Sequence, residues 1–130
     1  MKYTAAVIGL GRMGSTFDDE IDQSRGPGGD NRGSVLILPY CHGPSYYSSD
    51  KISLIAGADP DPVKREKFGK RWEIDDKNLF ESHQELLEVV KPDILSVCTT
   101  AKIRSEIVID AAGSGVKAIW AEKPISTTLK

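Results

Sequence analysis

Tyr3-Thr4-Ala5-Ala6-Val7-Ile8-Gly9-Leu10-Gly11-Arg12-Met13-Gly14 is the stretch that decides how this chain is read. Tyr3 to Ile8 is a mostly apolar run rich in strand formers. It breaks into a GxGxxG at the point where a strand would hand over to a helix, and that context makes the glycine pattern specific. Gly9 permits the tight turn. Gly11 lacks a Cβ, so a pyrophosphate can approach the backbone, and Gly14 lets the new helix lie close to the sheet. Free N–H groups at the helix start, those of Arg12 and Met13 among them, would face the phosphates. The Arg12 side chain could add one charged contact.

Outward from this stretch, strand and helix patterns alternate, which favours a parallel sheet covered on both faces. A helix starts near Arg12 and is expected to fade by Ile21. Asp22 to Pro39 then breaks the pattern with Gly26-Pro27-Gly28-Gly29, Asp30-Asn31 and Gly33, all turn formers, around a short apolar piece at Val35 to Leu38. One or two helical turns are expected within Gly43 to Asp50, with Tyr46 and Tyr47 packing. Lys51 to Ala58 reads as the second strand, ending at Asp59. Asp61 is a suitable N-cap for a helix from Pro62 to Trp72. Leu79-Phe80 is a short third strand. Ser82-His83-Gln84-Glu85 has capping-box spacing and opens a helix to Val90, which Lys91-Pro92 stops. Ile94 to Cys98 is a fourth, nearly all-apolar strand. A helix over Ile103 to Ala112 closes at Gly113-Ser114-Gly115. Val116 to Ala121 is the fifth strand, and Ser126 or Thr127 resembles the cap of a further helix. The expected fold is α/β: a Rossmann-type doubly wound parallel sheet, three-layer α/β/α, in one domain. Residues 1–124 form the dinucleotide-binding domain, with an inserted excursion at about 22–50, and residues 125–130 begin a connection onward.

With 130 residues the chain can bury one real core. Its 17 basic and 19 acidic side chains leave a net charge of −2, so no broad basic face for nucleic acid or acidic membranes is expected. Cys41 and Cys98 make no disulfide framework, which suits a reducing compartment. The N-terminal apolar segment is too short for a signal peptide and no run reaches membrane-spanning length. A cytoplasmic location is expected.

Four motifs together carry a family resemblance: Gly9 to Gly14, Gly57-Ala58-Asp59-Pro60-Asp61, Asp93 to Thr99, and Ala121-Glu122-Lys123-Pro124. The chain resembles the glucose–fructose oxidoreductase, inositol dehydrogenase and rhizopine-catabolism (Gfo/Idh/MocA) family over nearly its whole length, except Asp22 to about Tyr40. Glu-Lys-Pro after the fifth strand is the most distinctive element. The resemblance implies an NAD(P)-binding first domain. It also implies a second domain, absent from this sequence, that supplies much of the substrate site and the oligomer interface. The parent would then be a homo-oligomeric oxidoreductase moving hydride to or from a small sugar- or polyol-like alcohol. A non-catalytic NAD(P)-binding sensor and an NAD-using glycoside-cleaving enzyme are the alternatives within the resemblance.

Asp59 ends the second strand, where a carboxylate can bind the adenosine ribose hydroxyls and repel a 2′-phosphate, favouring NAD over NADP. The usual spacing is about 20 residues, and here 50 separate it from Gly9, a gap the excursion explains. Asp59 could instead only cap its own turn, and Lys64 and Arg65 keep NADP open. The resemblance makes Lys123 the catalytic lysine, with Glu122 orienting it and both near the cofactor. Cys98, Thr99 and Thr100 are expected beside the nicotinamide, Cys98 as a buried small residue without a nucleophile's role. Relatives often have Cys-Thr-Pro-x-x-x-His at this point. Here Thr100 replaces the proline and Arg104 the histidine, which opens the reading that Arg104 binds an anionic substrate. His83 is expected to face solvent. His42 could point at the cofactor edge, and too few ligands surround Cys41-His42 for zinc, so no metal is expected.

Overall fold

The computed structural model describes residues 1–24 and 39–128, with the side chains of 21–24 left aside. Among the described residues, β1 (Tyr3–Ile8), β2 (Ile52–Ala58), β3 (Leu79–Phe80), β4 (Ile94–Val97) and β5 (Ala118–Ala121) form one sheet in the order β3-β2-β1-β4-β5. Every pairing is parallel. The helices are α1 (Phe17–Ser24), α2 (His42–Tyr47), α3 (Pro62–Trp72), α4 (His83–Val89) and α5 (Ala101–Gly113). This is the three-layer α/β/α arrangement expected from the alternating pattern.

Strand β1 is apolar on both faces because both faces are covered. Ala5 and Val7 pack with Tyr46 of α2 and Phe68 of α3. Ala6 and Ile8 point the other way, into Leu86 and Leu87 of α4 and Ile107 and Ala111 of α5. The amino ends of three strands are joined by Asp93. Its carboxylate accepts from the Thr4 N–H at 2.9 Å, the Thr4 hydroxyl at 3.0 Å and Lys117 Nζ at 2.6 Å, and its carbonyl accepts the Lys117 and Ala118 N–H groups. The Lys117 bond, then those from Thr4, hold the carboxyl down at about 2.

The expected caps form. Asp61 accepts from the Val63 N–H at 2.9 Å, and Ser82 Oγ accepts from the Glu85 N–H at 3.3 Å. The first helix differs from expectation. It opens with a π turn over Arg12–Thr16, in which the Phe17 N–H reaches back to the Arg12 carbonyl, and α1 runs on to Ser24. The wider turn accommodates Cys41: its thiol donates to the Arg12 carbonyl at 3.3 Å and accepts the Asp18 N–H at 3.3 Å, while Asp18 accepts the N–H groups of Tyr40 and Cys41. The excursion is therefore stapled on its return to the helix it left. Its glycine-rich centre and the apolar piece at Val35 to Leu38 lie outside the described residues. β5 begins at Ala118, two residues later than expected, where the chain comes alongside β4 and the Ala118 N–H meets the Asp93 carbonyl.

The turn after β1 is the tightest part of the fold. A Cβ on Gly14 would lie 2.1 Å from the Gly9 carbonyl oxygen. Gly9 has φ +88°, and a Cβ there would lie 2.7 Å from the Cys98 carbonyl carbon. Gly14→Ala is expected to cost ~3 kcal/mol or more, since backbone and not a movable side chain is in the way. Chemical denaturation of the variant measures this, and near-wild-type stability would mean that the turn relaxes freely.

Candidate functional site

At the carboxyl ends of the strands the chain leaves β1 and β4 in opposite directions, which is where open α/β sheets form their ligand crevice. A cleft of about 460 Å³ lies there, lined by Gly9, Gly11, Asp59, Cys98, Thr99 and Thr100. Six of the expected site residues, spread over ninety positions of sequence, thus meet at one edge. Lys64 and His83 line the cleft as well.

Two features of this cleft suit a phosphate-bearing ligand. A Cβ built on Gly11 meets nothing within 4 Å, unlike those on Gly9 and Gly14, so Gly11 borders open space that a side chain would fill. The Thr99 hydroxyl oxygen is buried and has no hydrogen-bond partner among the described residues. An orphaned buried hydroxyl is costly unless a ligand or water meets it.

Asp59 is almost wholly buried at the cleft wall. Oδ2 accepts from the Leu10 N–H at 2.9 Å, and Oδ1 accepts from the Asp61 N–H at 3.0 Å. It caps its own turn and also holds the glycine loop. Each carboxylate oxygen keeps a further lone pair. Lys64 Nζ lies 4.0 Å from Oδ2, whereas Arg65 is taken up by the Asp59 and Pro60 carbonyls. Arg12 is exposed, and its guanidinium pairs with Glu20 and lies over the Phe17 ring. Met13 is half-buried and Gly14 buried.

Glu122 and Lys123 stand outside this cleft, just beyond β5. Lys123 is exposed, and Glu122 is held from beneath. His42, fully buried, places Nε2 3.0 Å from Glu122 Oε1 and Nδ1 2.8 Å from Ser96 Oγ. The Tyr46 hydroxyl lies 2.7 Å from the same Ser96 oxygen, and the His42 ring stacks on Trp120 with centroids 3.7 Å apart. His42 thus turns toward Glu122 and the interior. Sequence reading missed Ser96 in this cluster, although it is the one polar side chain in the β4 run Ile94 to Val97. Burial pushes the His42 pKa down, and the His42 hydrogen bond pulls Glu122 down.

Two expectations are corrected. Arg104 does not present a charge to an anionic substrate: it is buried, with Nη1 donating to the Pro124 carbonyl at 2.5 Å and Nη2 to the Thr99 carbonyl. Its planar fork clamps the Glu-Lys-Pro turn onto the end of β4. His83 does not face solvent: its ring is mostly covered, Nε2 lies 2.8 Å from Asp110 Oδ2, and it borders the cleft. Among the described residues, His83, Glu106 and Asp110 bring ligand atoms within 4.8 Å of one another, and His83 and Asp110 are hydrogen-bonded to each other. Burial raises the Cys98 thiol far up and Cys41 to about 11, so neither is a ready nucleophile.

A parallel sheet in this order, with a glycine turn at its switch point and an open Cβ-free cradle beside it, is a dinucleotide-binding Rossmann domain. The chain belongs to the Gfo/Idh/MocA oxidoreductase family, whose NAD-binding Rossmann-fold description matches residues 3–130. Among solved structures it is similar to scyllo-inositol dehydrogenase from Lactobacillus casei with bound NAD(H) and scyllo-inositol (16% identity, TM-score 0.71, 98% of this chain and 30% of that one). It is also similar to myo-inositol 2-dehydrogenase from Lactobacillus plantarum (17%, 0.71, 99% and 30%). A third is the WlbA dehydrogenase from Bordetella pertussis in complex with NADH and UDP-GlcNAcA (17%, 0.68, 98% and 31%). The chain therefore spans about 30% of the length of these relatives. No curated protein matches the sequence. Among the described residues no helix is long and apolar enough to cross a membrane.

The buried His42 makes stability depend on pH. Its folded-state pKa is below the ordinary 6.5, so the unfolded chain takes up the proton first. The stability due to neutral His42 is complete above about pH 6.5 and is lost progressively below it. The melting temperature is expected to fall between about pH 7.5 and about pH 5.5, and to fall less in His42→Gln. Parallel slopes in thermal melts of the two proteins would remove His42 as the cause.

Proposed function

We propose that this chain is the cofactor-binding part of an NAD-dependent oxidoreductase that moves hydride to or from a sugar- or polyol-like alcohol. The observation that carries the reading is the cradle at Gly11, open to any Cβ, with the orphaned Thr99 hydroxyl across the same cleft. Gly9 to Gly14 would hold the pyrophosphate on backbone N–H groups, and the free lone pairs of Asp59 would take the ribose hydroxyls. Thr99 and Thr100 would border the nicotinamide, which when bound supplies the hydride acceptor or donor. Lys123 would act on the substrate oxygen, stabilising the alkoxide character that develops as the hydride leaves. The similar dehydrogenases named with inositols and with a sugar nucleotide support the substrate class. A second domain in a longer parent would supply the rest of the substrate site.

Two titrations of this chain test the reading. NADH is expected to bind more tightly than NADPH by at least ~1 kcal/mol, because Asp59 opposes a 2′-phosphate. Equal affinities, or a preference for NADPH, would take Asp59 out of the ribose role. Gly11→Val is expected to abolish NADH binding while melting close to wild type, since the protein itself has room for the side chain. Full affinity in the folded variant would put the phosphates elsewhere.

In the parent enzyme, Lys123→Ala is expected to lower kcat by roughly 100-fold or more, as loss of a group acting in the transition state does. The same change in this domain should leave the NADH dissociation constant nearly untouched. Full turnover without Lys123 would end its catalytic assignment.

A further inference from the structure

We propose that His42 is a positioning residue that orients the Glu122–Pro124 turn, a role that rests on reading Lys123 as the group that meets the substrate. His42 comes from α2, far in sequence from the turn, at the end of the segment that interrupts the ordinary helix-to-strand passage. Nothing in a helix of this length requires a histidine facing inward. A fully buried imidazole with both nitrogens engaged is a costly choice unless the hydrogen bonds it makes are what is wanted.

The donors run in one direction. An ionised Glu122 can only accept, so the His42 Nε2 must carry the proton that bridges to Oε1. Nδ1 of the neutral ring then accepts from the Ser96 hydroxyl, whose oxygen accepts from the Tyr46 hydroxyl. Every buried polar atom in this row is satisfied with His42 neutral. Trp120 packs against the ring and fixes its plane. The other Glu122 oxygen faces the Lys123 backbone N–H at 3.4 Å. On the far side, Arg104 holds the Pro124 carbonyl at 2.5 Å. The three-residue turn is gripped at its first and last residues from inside the fold, and the exposed Lys123 is presented between the two grips.

A ring that merely fills space would tolerate any replacement of similar volume. A positioning ring needs its donor at the Nε2 place. His42→Gln keeps an amide N–H near that place and loses the Ser96 partner, whereas His42→Asn keeps only the Nδ1 side. The experiment is backbone ¹⁵N relaxation on this chain, with Glu122→Ala as a variant that cuts the link from the more exposed end. Order parameters at Glu122 and Lys123 are expected near 0.85 (roughly, as for rigid backbone) in wild type and His42→Gln, and below about 0.6 in His42→Asn and Glu122→Ala. Equal order in all four proteins, or equal loss in both His42 variants, would overturn the proposal. If His42→Asn does not fold, a rigid turn in His42→Gln beside a loose one in Glu122→Ala supports it, and any other pairing overturns it. NADH titration of the wild type separates the two readings. A chain that fails to bind NADH refutes the cofactor-domain reading, while the relaxation data still decide whether His42 holds the turn.

Discussion

The approach of Gly14 to the Gly9 carbonyl is the constraint on which the remaining structure rests. A helix that begins on the far side of the three-residue turn Gly9–Gly11 can return against β1 only if no side chain stands between the two backbones, and the 2.1 Å left for a Cβ at Gly14 excludes any residue but glycine. The same closeness presses Gly9 against the end of β4, so the turn also sets how near β1 and β4 lie at their carboxyl ends. The crevice, its open floor at Gly11 and the position of Thr99 all follow from that packing. Asp59 secures it from the opposite side by accepting the Leu10 N–H, which links the end of β2 to the glycine loop.

Polar anchoring of the Glu122–Pro124 turn complements this close packing. Arg104 and His42 both lie buried, both come from helices, and each ties the turn to β4 or its end: His42 joins Glu122 to Ser96, and Arg104 joins the Pro124 carbonyl to that of Thr99. Removing the Glu122 or Pro124 partner would leave a buried donor unpaired, which costs more than a surface contact could return. The turn is therefore specified by desolvated partners, and its specification does not depend on the exposed Lys123 side chain.

Asp59 shows how one carboxylate can serve fold and ligand together. Its two backbone bonds shape the loop whether or not a ligand is present, and the residue lines the cleft with further acceptor capacity on its carboxylate. The capping and ribose readings of this residue are compatible.

The sequence by itself determined the elements that local chemistry controls. The strand into GLGRMG, the Asp61 and Ser82 caps, the apolar β4 and the membership signalled by Glu-Lys-Pro were all legible, because turn, cap and periodicity rules act within a few residues. Only the tertiary structure decided the partners of polar side chains. Arg104 faces inward because the carbonyls of Thr99 and Pro124 meet there, and Pro124 lies twenty residues away along the chain. His83 is covered because Asp110 of α5 crosses it, and the π turn opens because Cys41 returns to Arg12 from beyond the excursion. His42 finds Ser96 and Glu122 across 54 and 80 residues. Which buried donor meets which acceptor is fixed by the register of strands and helices, and no local pattern carries that information.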